Sequence, residues 1–224
     1  MARRIESHLL AGPAGNLEAL LEEPEDGVGS SGSPRFCAVV CHPHPLYGGT
    51  LHNKVVHRTA STLHELGGDV LRFNFRGVGQ SAGTHDRGAG ELDDARAALE
   101  FLRARHPGAR VWLAGFSFGS WVAARLAAAE HGIERAILIA PPVTSQSFDV
   151  LRRSPVPKHV FQGSADDICP PAALTPEFAA WAEPKHLTMI ESATHFFDKQ
   201  LGALAQALSQ ELRPLAQGGT SCAT

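Results

Sequence analysis

The chain has 224 residues, a formal net charge of −3 and 43% hydrophobic residues. This length predicts one α/β domain with a substantial core, which we place at residues 1–213, followed by a frayed tail at residues 214–224. The balanced charge, with no run of lysine or arginine, argues against a nucleic-acid interface or a polybasic membrane patch and favours a small-molecule partner.

The amino-terminal segment and the cysteines indicate the compartment. Polar residues interrupt the first apolar stretches too early for a secretory signal core, and no segment approaches the apolar length of a membrane span. The cysteines, Cys37, Cys41, Cys169 and Cys222, match no metal-ligand spacing. Cys37 and Cys41 would lie about 13 Å apart along one strand, too far for a disulfide. These features predict free thiols in a cytoplasmic protein.

The predicted elements begin with a hairpin. The strand-like stretches RIESHLL and NLEALLEEP flank the turn sequence AGPAG, and the exposed Gly/Ser-rich loop EDGVGSSGSP follows. Short apolar runs then alternate with helical stretches. The predicted strands are FCAVVC, DVLRFNF, VWLAGF, RAILIA, KHVFQG and HLTMI, and the predicted helices cover residues 53–66, 91–105, 118–130, 171–181 and 197–212. This alternation predicts a mostly parallel, twisted sheet with helices on both faces.

The connection between RAILIA and KHVFQG spans only residues 141–157. This is too short to hold an inserted cap domain. We therefore expect any pocket at the carboxyl edge of the sheet to be open to solvent.

The junction between VWLAGF and the next helix carries the motif Gly115-Phe116-Ser117-Phe118-Gly119. A serine on such a turn adopts a strained conformation, and glycine on either side lets neighbouring backbone approach closely. The hydroxyl then projects above the sheet, beside a helix amino terminus that favours developing negative charge. The pentapeptide alone is a weak signal, but its strand-to-helix context makes Ser117 a candidate nucleophile.

A serine nucleophile needs a base and an acid that orients the base. In a doubly wound sheet these residues come from loops after later strands, in the chain order serine, acid, histidine. KHVFQG is followed by Asp166 and Asp167, and HLTMI is followed by His195. This order predicts His195 as the base and one of the two aspartates as the acid.

Together these stretches resemble the α/β-hydrolase family, in particular its small, lidless bacterial esterase-like members. The resemblance runs from CHPHPLYGGTLHNKVV through RFNFRGVGQSAG and GFSFGS to GSADDICP and ATHFF. In that family the acid commonly occupies a G-x-x-D-x-x-x-P stretch, which implies Asp166 rather than Asp167. The resemblance also implies an α/β-hydrolase fold without a cap domain.

The loop HPHPLYGGT is expected to supply one of the two backbone N–H donors of an oxyanion hole. Its prolines have no N–H, which restricts the donor to His42, His44, Leu46 or Tyr47. Alignment with the family's oxyanion loop implies that His44 donates, together with Phe118. Leu46 stays as the alternative, because the prolines can turn the loop.

A metal site and a nucleotide site are both weaker interpretations of the loop residues than a structural role. A metal cluster of His42, His44, His52 and His57 has no carboxylate or cysteine at suitable spacing. The stretch RFNFRGVGQSAG lacks the third glycine of a dinucleotide fingerprint, and Arg76 within it is expected to bond neighbouring carbonyls. We therefore expect neither a metal nor a cofactor.

These observations predict a carboxylesterase-type serine hydrolase that forms an acyl-enzyme on Ser117. An open pocket lined by Leu46, Tyr47, Phe116 and Phe118 predicts esters with short acyl chains. The alternatives are a peptidase or amidase, a dienelactone-type hydrolase, for which a cysteine nucleophile is expected, and a non-catalytic binding protein on the same fold. A homodimer also stays open.

Overall fold

The computed structural model describes residues 3–24 and 35–218 of the chain. Within these residues, one sheet contains eight strands: β1 (Arg3–Gly12), β2 (Gly15–Pro24), β3 (Phe36–Cys41), β4 (Gly68–Phe73), β5 (Val111–Phe116), β6 (Ile133–Ile139), β7 (Lys158–Gly163) and β8 (Lys185–Ile190). Their spatial order is β1-β2-β4-β3-β5-β6-β7-β8. The β1–β2 and β2–β4 pairs are antiparallel, and the other pairs are parallel. The predicted sheet and its amino-terminal hairpin are confirmed.

Capping residues define where the helices begin. The described residues form five α-helices: α1 (Lys54–Glu65), α2 (Ala89–Arg105), α3 (Phe118–Ala129), α4 (Pro171–Ala180) and α5 (Leu201–Ala216). The Asn53 side chain accepts a hydrogen bond from the Val55 N–H at 2.9 Å, which satisfies one of the free donors at the start of α1. Glu91 accepts from the Gly88 N–H at 2.6 Å and so closes the start of α2.

The helices cover the sheet on both faces. The strands β3, β5 and β7 are buried along their whole length, which explains why their sequences show no polar alternation. On the face covered by α1 and α5, the rings of Phe36 and Trp112 stack with centroids 3.7 Å apart. The other face is covered by α2 and α3, where Leu99 and Leu102 pack against the sheet.

The connection that follows β6 contains no inserted domain. Residues 141–157 are described throughout, and the regular element that they form is a 3-10 turn at Asp149–Arg152. The predicted absence of a cap is therefore confirmed. In residues 3–24 and 35–218, no helix combines the length and the apolar character that crossing a bilayer requires.

Three predicted boundaries need correction. The last helix was expected at residues 197–212 but forms at Leu201–Ala216, because Phe197 (φ 52°) and Lys199 (φ 62°) have left-handed backbone that a helix cannot include. The strand expected at residues 69–75 ends at Phe73. The last helix also continues past residue 213, after which we expected a frayed tail. Residues 219–224 and the predicted loop at residues 25–34 lie outside the described residues.

The cysteines in the described part of the chain are free, as expected, and they are also buried. They are Cys37, Cys41 and Cys169, while Cys222 lies outside that part. Burial raises the pKa of the Cys37 and Cys169 thiols to about 12. Neither thiol is ionised at neutral pH, so neither is a candidate nucleophile.

A buried ion pair ties the hairpin to the rest of the sheet. Arg72 of β4 is 2% exposed and Glu22 of β2 is fully buried. Arg72 Nε donates to Glu22 Oε1 at 2.8 Å, and Arg72 Nη1 donates to the Leu51 carbonyl at 2.7 Å. Arg3 also donates to Glu22 Oε2, at 3.1 Å. The pair therefore links β1, β2, β4 and the segment before α1.

Replacing Arg72 with Met is expected to destabilise the protein by about 3–5 kcal/mol, because Glu22 then keeps a buried charge with only Arg3 beside it. The double variant Arg72→Met/Glu22→Leu is expected to lose less than the single variant, because no uncompensated charge remains. Urea unfolding followed by circular dichroism measures both. A single variant as stable as the wild type would contradict this account.

Candidate active site

The turn between β5 and α3 has the strained backbone that the motif predicts. Ser117 has φ 53° and ψ −122°, a conformation that costs a residue with a Cβ about 1–3 kcal/mol. The Ser117 N–H donates to the Ile139 carbonyl at 2.9 Å, which anchors the turn to β6. A Cβ on Gly115 would overlap the Gly119 carbonyl, and a Cβ on Gly119 would overlap the Cys41 carbonyl. Both glycines are therefore required by close backbone packing.

The structure brings together the three residues that the sequence analysis singled out. His195 Nε2 lies 3.1 Å from Ser117 Oγ, and His195 Nδ1 lies 2.9 Å from Asp166 Oδ2. His195 is 3% exposed and Asp166 is also 3% exposed, whereas Asp167 is exposed. Of the two candidate aspartates, Asp166 is the one in contact with the imidazole.

The Asp166 carboxylate is held by donors from its own loop and from β7. Oδ1 accepts from the backbone N–H groups of Ile168 (3.0 Å) and Cys169 (2.7 Å). Oδ2 accepts from Gln162 Nε2 at 2.9 Å, and that amide also donates to the Cys169 carbonyl at 2.9 Å. The sequence analysis missed Gln162. A glutamine inside the otherwise apolar end of a buried strand, four residues before the acid, was an available signal.

Phe116 lies beneath the histidine and does not line an open pocket, which corrects our expectation. Its side chain is 1% exposed, and its ring centroid lies 5.1 Å from that of His195. Phe196 packs edge-on against the same imidazole, with centroids 5.1 Å apart. Alternation along β5 turns Phe116 into the core while the turn directs Ser117 upward. These two rings restrict the orientation of the imidazole.

The loop after β3 places the candidate oxyanion donors beside the start of α3. The rings of His44 and Phe118 lie 4.8 Å apart. The Leu46 N–H donates to His44 Nδ1 at 3.2 Å, so the alternative donor is already engaged. In the described part of the chain, the backbone N–H groups of His44 and Phe118 have no acceptor. Of the two alternatives, the geometry favours His44.

His42 fixes this loop to the end of β4. It is fully buried, and its Nε2 accepts from the Phe75 N–H at 3.0 Å. Nδ1 therefore carries the proton, and it donates to the Pro43 carbonyl at 2.6 Å. Burial lowers the pKa of His42 to about 4. The imidazole is neutral at physiological pH and acts as a spacer between the two segments.

The other loop residues are either exposed or paired with a buried side chain. His52 and His57 are exposed, whereas His42 is buried. Arg76 donates to both carboxylate oxygens of Asp94, at 2.8 to 3.2 Å, and not to carbonyl groups as we expected. The carboxylate is fully buried, so the charged partner is needed there.

Metal-ligating atoms converge at two places in the residues that the structure describes. One group consists of Asp166, Cys169 and His195, whose carboxylate is already occupied by the hydrogen bonds given above. The other consists of Glu23, Asp69 and His106, at the amino end of β4 and so at the opposite end of the parallel strands.

The surface around the serine is open and partly apolar. Leu46 is 68% exposed and Tyr47 is 87% exposed, and both belong to the loop that contains His44. Ile168 and Phe196, which the sequence analysis did not name, are also exposed and belong to the loops of Asp166 and His195. Apolar side chains therefore flank the serine at the rim, and none of them encloses it.

Comparison with known proteins identifies the fold. A protein described as a serine hydrolase without a lid, from Xanthomonas campestris, is 40% identical with a TM-score of 0.86, and 95% of each chain is covered. A serine hydrolase homologue from Coxiella burnetii is 36% identical with a TM-score of 0.86, covering 92% of this chain and 97% of that one. The family model described as serine aminopeptidase, S33, matches residues 33–153.

The chain belongs to the α/β-hydrolase family. An uncharacterised protein of Rickettsia prowazekii is 44% identical over 135 residues. That match spans 58% of this α/β-hydrolase and 57% of the Rickettsia protein.

Substituting Gly119 with Ala is expected to destabilise this α/β-hydrolase by about 1–3 kcal/mol, because the methyl group meets the Cys41 carbonyl. Displacing the turn is also expected to lower hydrolytic activity about 100-fold. Gly202→Ala is the matched control, since a Cβ there meets no atom within 4 Å. Thermal unfolding and ester hydrolysis measure both effects. Equal behaviour of the two variants would show that the close approach is unimportant.

Proposed function

We propose that this α/β-hydrolase is a carboxylesterase that cleaves esters with short acyl chains through an acyl-enzyme on Ser117. The observation that carries the proposal is the 3.1 Å contact between His195 Nε2 and Ser117 Oγ. A serine hydroxyl is a poor nucleophile at neutral pH, so a base within hydrogen-bonding distance is the first requirement.

The proposed reaction has two halves. His195 Nε2 takes the proton of Ser117 Oγ as the oxygen attacks the ester carbonyl carbon, and the resulting imidazolium then gives that proton to the leaving alcohol. In the second half, water loses a proton to Nε2 and attacks the acyl-enzyme. Ser117 Oγ regains a proton from the imidazolium, and the carboxylic acid leaves.

In this mechanism, Asp166 selects the tautomer of the base. With its carboxylate 2.9 Å from His195 Nδ1, the proton of the neutral imidazole is held on Nδ1 and Nε2 is left with its lone pair. The donors from Gln162 and from the backbone keep the carboxylate in position. The rings of Phe116 and Phe196 restrict rotation of the imidazole.

The proposed oxyanion hole consists of the backbone N–H groups of His44 and Phe118. The contact between their rings supports the assignment, as does the engagement of the Leu46 N–H by His44 Nδ1. Phe118 is also the first residue of α3, so the helix dipole adds to the stabilisation of a negative oxygen.

The open rim supports small substrates. Leu46 and Tyr47 are mostly exposed, so they offer apolar contact on one side of the serine without forming a deep acyl tunnel. A short acyl group gains most of its binding energy at such a rim, whereas a long chain leaves its additional methylenes in water.

An aminopeptidase is a second candidate, because the matching family model is described as serine aminopeptidase, S33. It needs the same triad but must also protonate a poorer leaving group. A non-catalytic binding protein would retain the fold without turnover.

Replacing Ser117 with Ala is expected to lower kcat for p-nitrophenyl acetate by about 10⁶-fold, because the nucleophile is removed. Asp166→Asn is expected to lower it by about 10⁴-fold, because His195 is then no longer held in the tautomer that leaves Nε2 free. Asp167→Asn is the matched control and is expected to keep activity within about two-fold, since this carboxylate is exposed. A fluorophosphonate probe is expected to add its mass to Ser117 in the wild type. An unlabelled wild-type protein would favour the binding-protein alternative.

A series of p-nitrophenyl esters is expected to give the highest kcat/KM for acetyl to butyryl groups. Dodecanoyl esters are expected to be at least about ten-fold slower, because the rim offers no enclosed site for the added methylenes. Aminoacyl p-nitroanilides provide the competing substrates. Faster cleavage of the anilides than of the esters would replace the esterase proposal with the aminopeptidase.

A further inference from the structure

We propose that Glu23, Asp69 and His106 form a binding site for a divalent metal ion of the Zn²⁺ type. The site is separate from the candidate active site. Asp69 is at the amino end of β4, whereas the serine follows the carboxyl end of the parallel strand β5. Strands of this length place the two edges about 17–20 Å apart.

The three side chains come from different elements and meet at one point. Glu23 is near the end of β2, Asp69 is in β4, and His106 follows the last residue of α2. One ligand atom from each lies within 4.8 Å of those of the other two. His106 Nε2 is 3.1 Å from Asp69 Oδ2 and 3.7 Å from Glu23 Oε1.

Two of the three separations are close to those in a tetrahedral coordination sphere. Zn²⁺ binds imidazole nitrogen and carboxylate oxygen at about 2.0–2.1 Å, which places neighbouring ligand atoms about 3.3–3.4 Å apart. The two distances from His106 Nε2 lie on either side of this value. The side chains of His106 and Glu23 are each 13% exposed, so the cluster borders on solvent, which can supply a water molecule as the fourth ligand.

Unsatisfied buried atoms indicate that the three side chains of the cluster do not satisfy one another's hydrogen-bonding groups. The Asp69 side chain is 7% exposed, and among the described residues its Oδ1 has no hydrogen-bond partner. His106 Nε2 is also buried and, despite its short distance to Asp69, forms no hydrogen bond within the described part of the chain. A cation between the carboxylates and the imidazole satisfies these groups at once.

The surroundings favour a bound cation. Arg105 donates to both oxygens of Glu23, at 2.7 and 2.8 Å, which orients the carboxylate as outer partners of metal ligands commonly do. The cluster contains two carboxylates and one imidazole, and the Arg105 guanidinium offsets one of the two carboxylate charges.

Occupation of the site would join three parts of the fold. β2 pairs with β4 over residues 19–22, immediately before Glu23. The ion would connect the end of this short pairing to β4 and to the end of α2. The expected role is stabilisation of the hairpin against the main sheet.

Titration of the EDTA-treated protein with ZnCl₂ in a calorimeter tests the proposal. The wild type is expected to bind one Zn²⁺ at this site, and His106→Gln and Asp69→Asn are each expected to weaken binding at least about 100-fold. His131→Gln is the matched control, because His131 is exposed and is not part of either convergent group. At about 100-fold excess over Kd, Zn²⁺ is expected to raise the Tm of the wild type by about 5–10 °C.

Three outcomes would overturn the proposal. They are the absence of Zn²⁺ binding to the wild type, unchanged affinity in both cluster variants, and binding that survives His106→Gln but disappears in His195→Gln. The last outcome would assign the ion to the Asp166, Cys169 and His195 group. The Tm of each variant in EDTA shows whether the fold is retained in the absence of metal. The isosteric Asp69→Asn variant tests the same site with a second ligand, in case His106→Gln fails to fold.

Discussion

The left-handed backbone at Ser117 is the constraint around which the rest of the site is arranged. A residue with a side chain pays conformational energy for φ 53°, and the surrounding contacts must hold it there. The Ile139 carbonyl binds its N–H, and Gly115 and Gly119 let the turn pack directly against neighbouring backbone. The result is a hydroxyl fixed at the carboxyl edge of the sheet, with the start of α3 immediately behind it.

The groups that face this hydroxyl are fixed by a second set of buried polar contacts. Gln162 and two backbone donors hold Asp166, Asp166 faces His195, and His195 packs against two aromatic rings. On the opposite side, the neutral His42 keeps the His44 loop attached to the segment that follows β4. Buried side chains at strand ends, Gln162 and His42, therefore anchor the loops on both sides of the serine.

Much of this arrangement follows from sequence, and the exceptions have physical causes. Unbroken apolar runs reveal buried strands, and the order of Ser117, Asp166 and His195 after the carboxyl ends of β5, β7 and β8 predicts that they meet. The direction of the Phe116 side chain was harder to predict, because the sharp turn sends Phe116 into the core and the adjacent Ser117 to the surface of the sheet's carboxyl end. The start of α5 depends on left-handed backbone at Phe197 and Lys199. The local sequence does not predict this, because neither residue is a glycine. The cluster of Glu23, Asp69 and His106 is invisible in the sequence because its members are far apart in the chain.

The buried Arg72 makes the first two strands an obligatory part of the fold rather than an accessory to it. Its guanidinium is neutralised by Glu22, a residue of the hairpin, and it also holds the Leu51 carbonyl just before α1. A chain shortened to begin after residue 24 would leave a cation sealed in the interior with no counter-charge from β2. The minimal folding unit of this hydrolase therefore includes its amino-terminal strands, although they contribute no side chain near the serine.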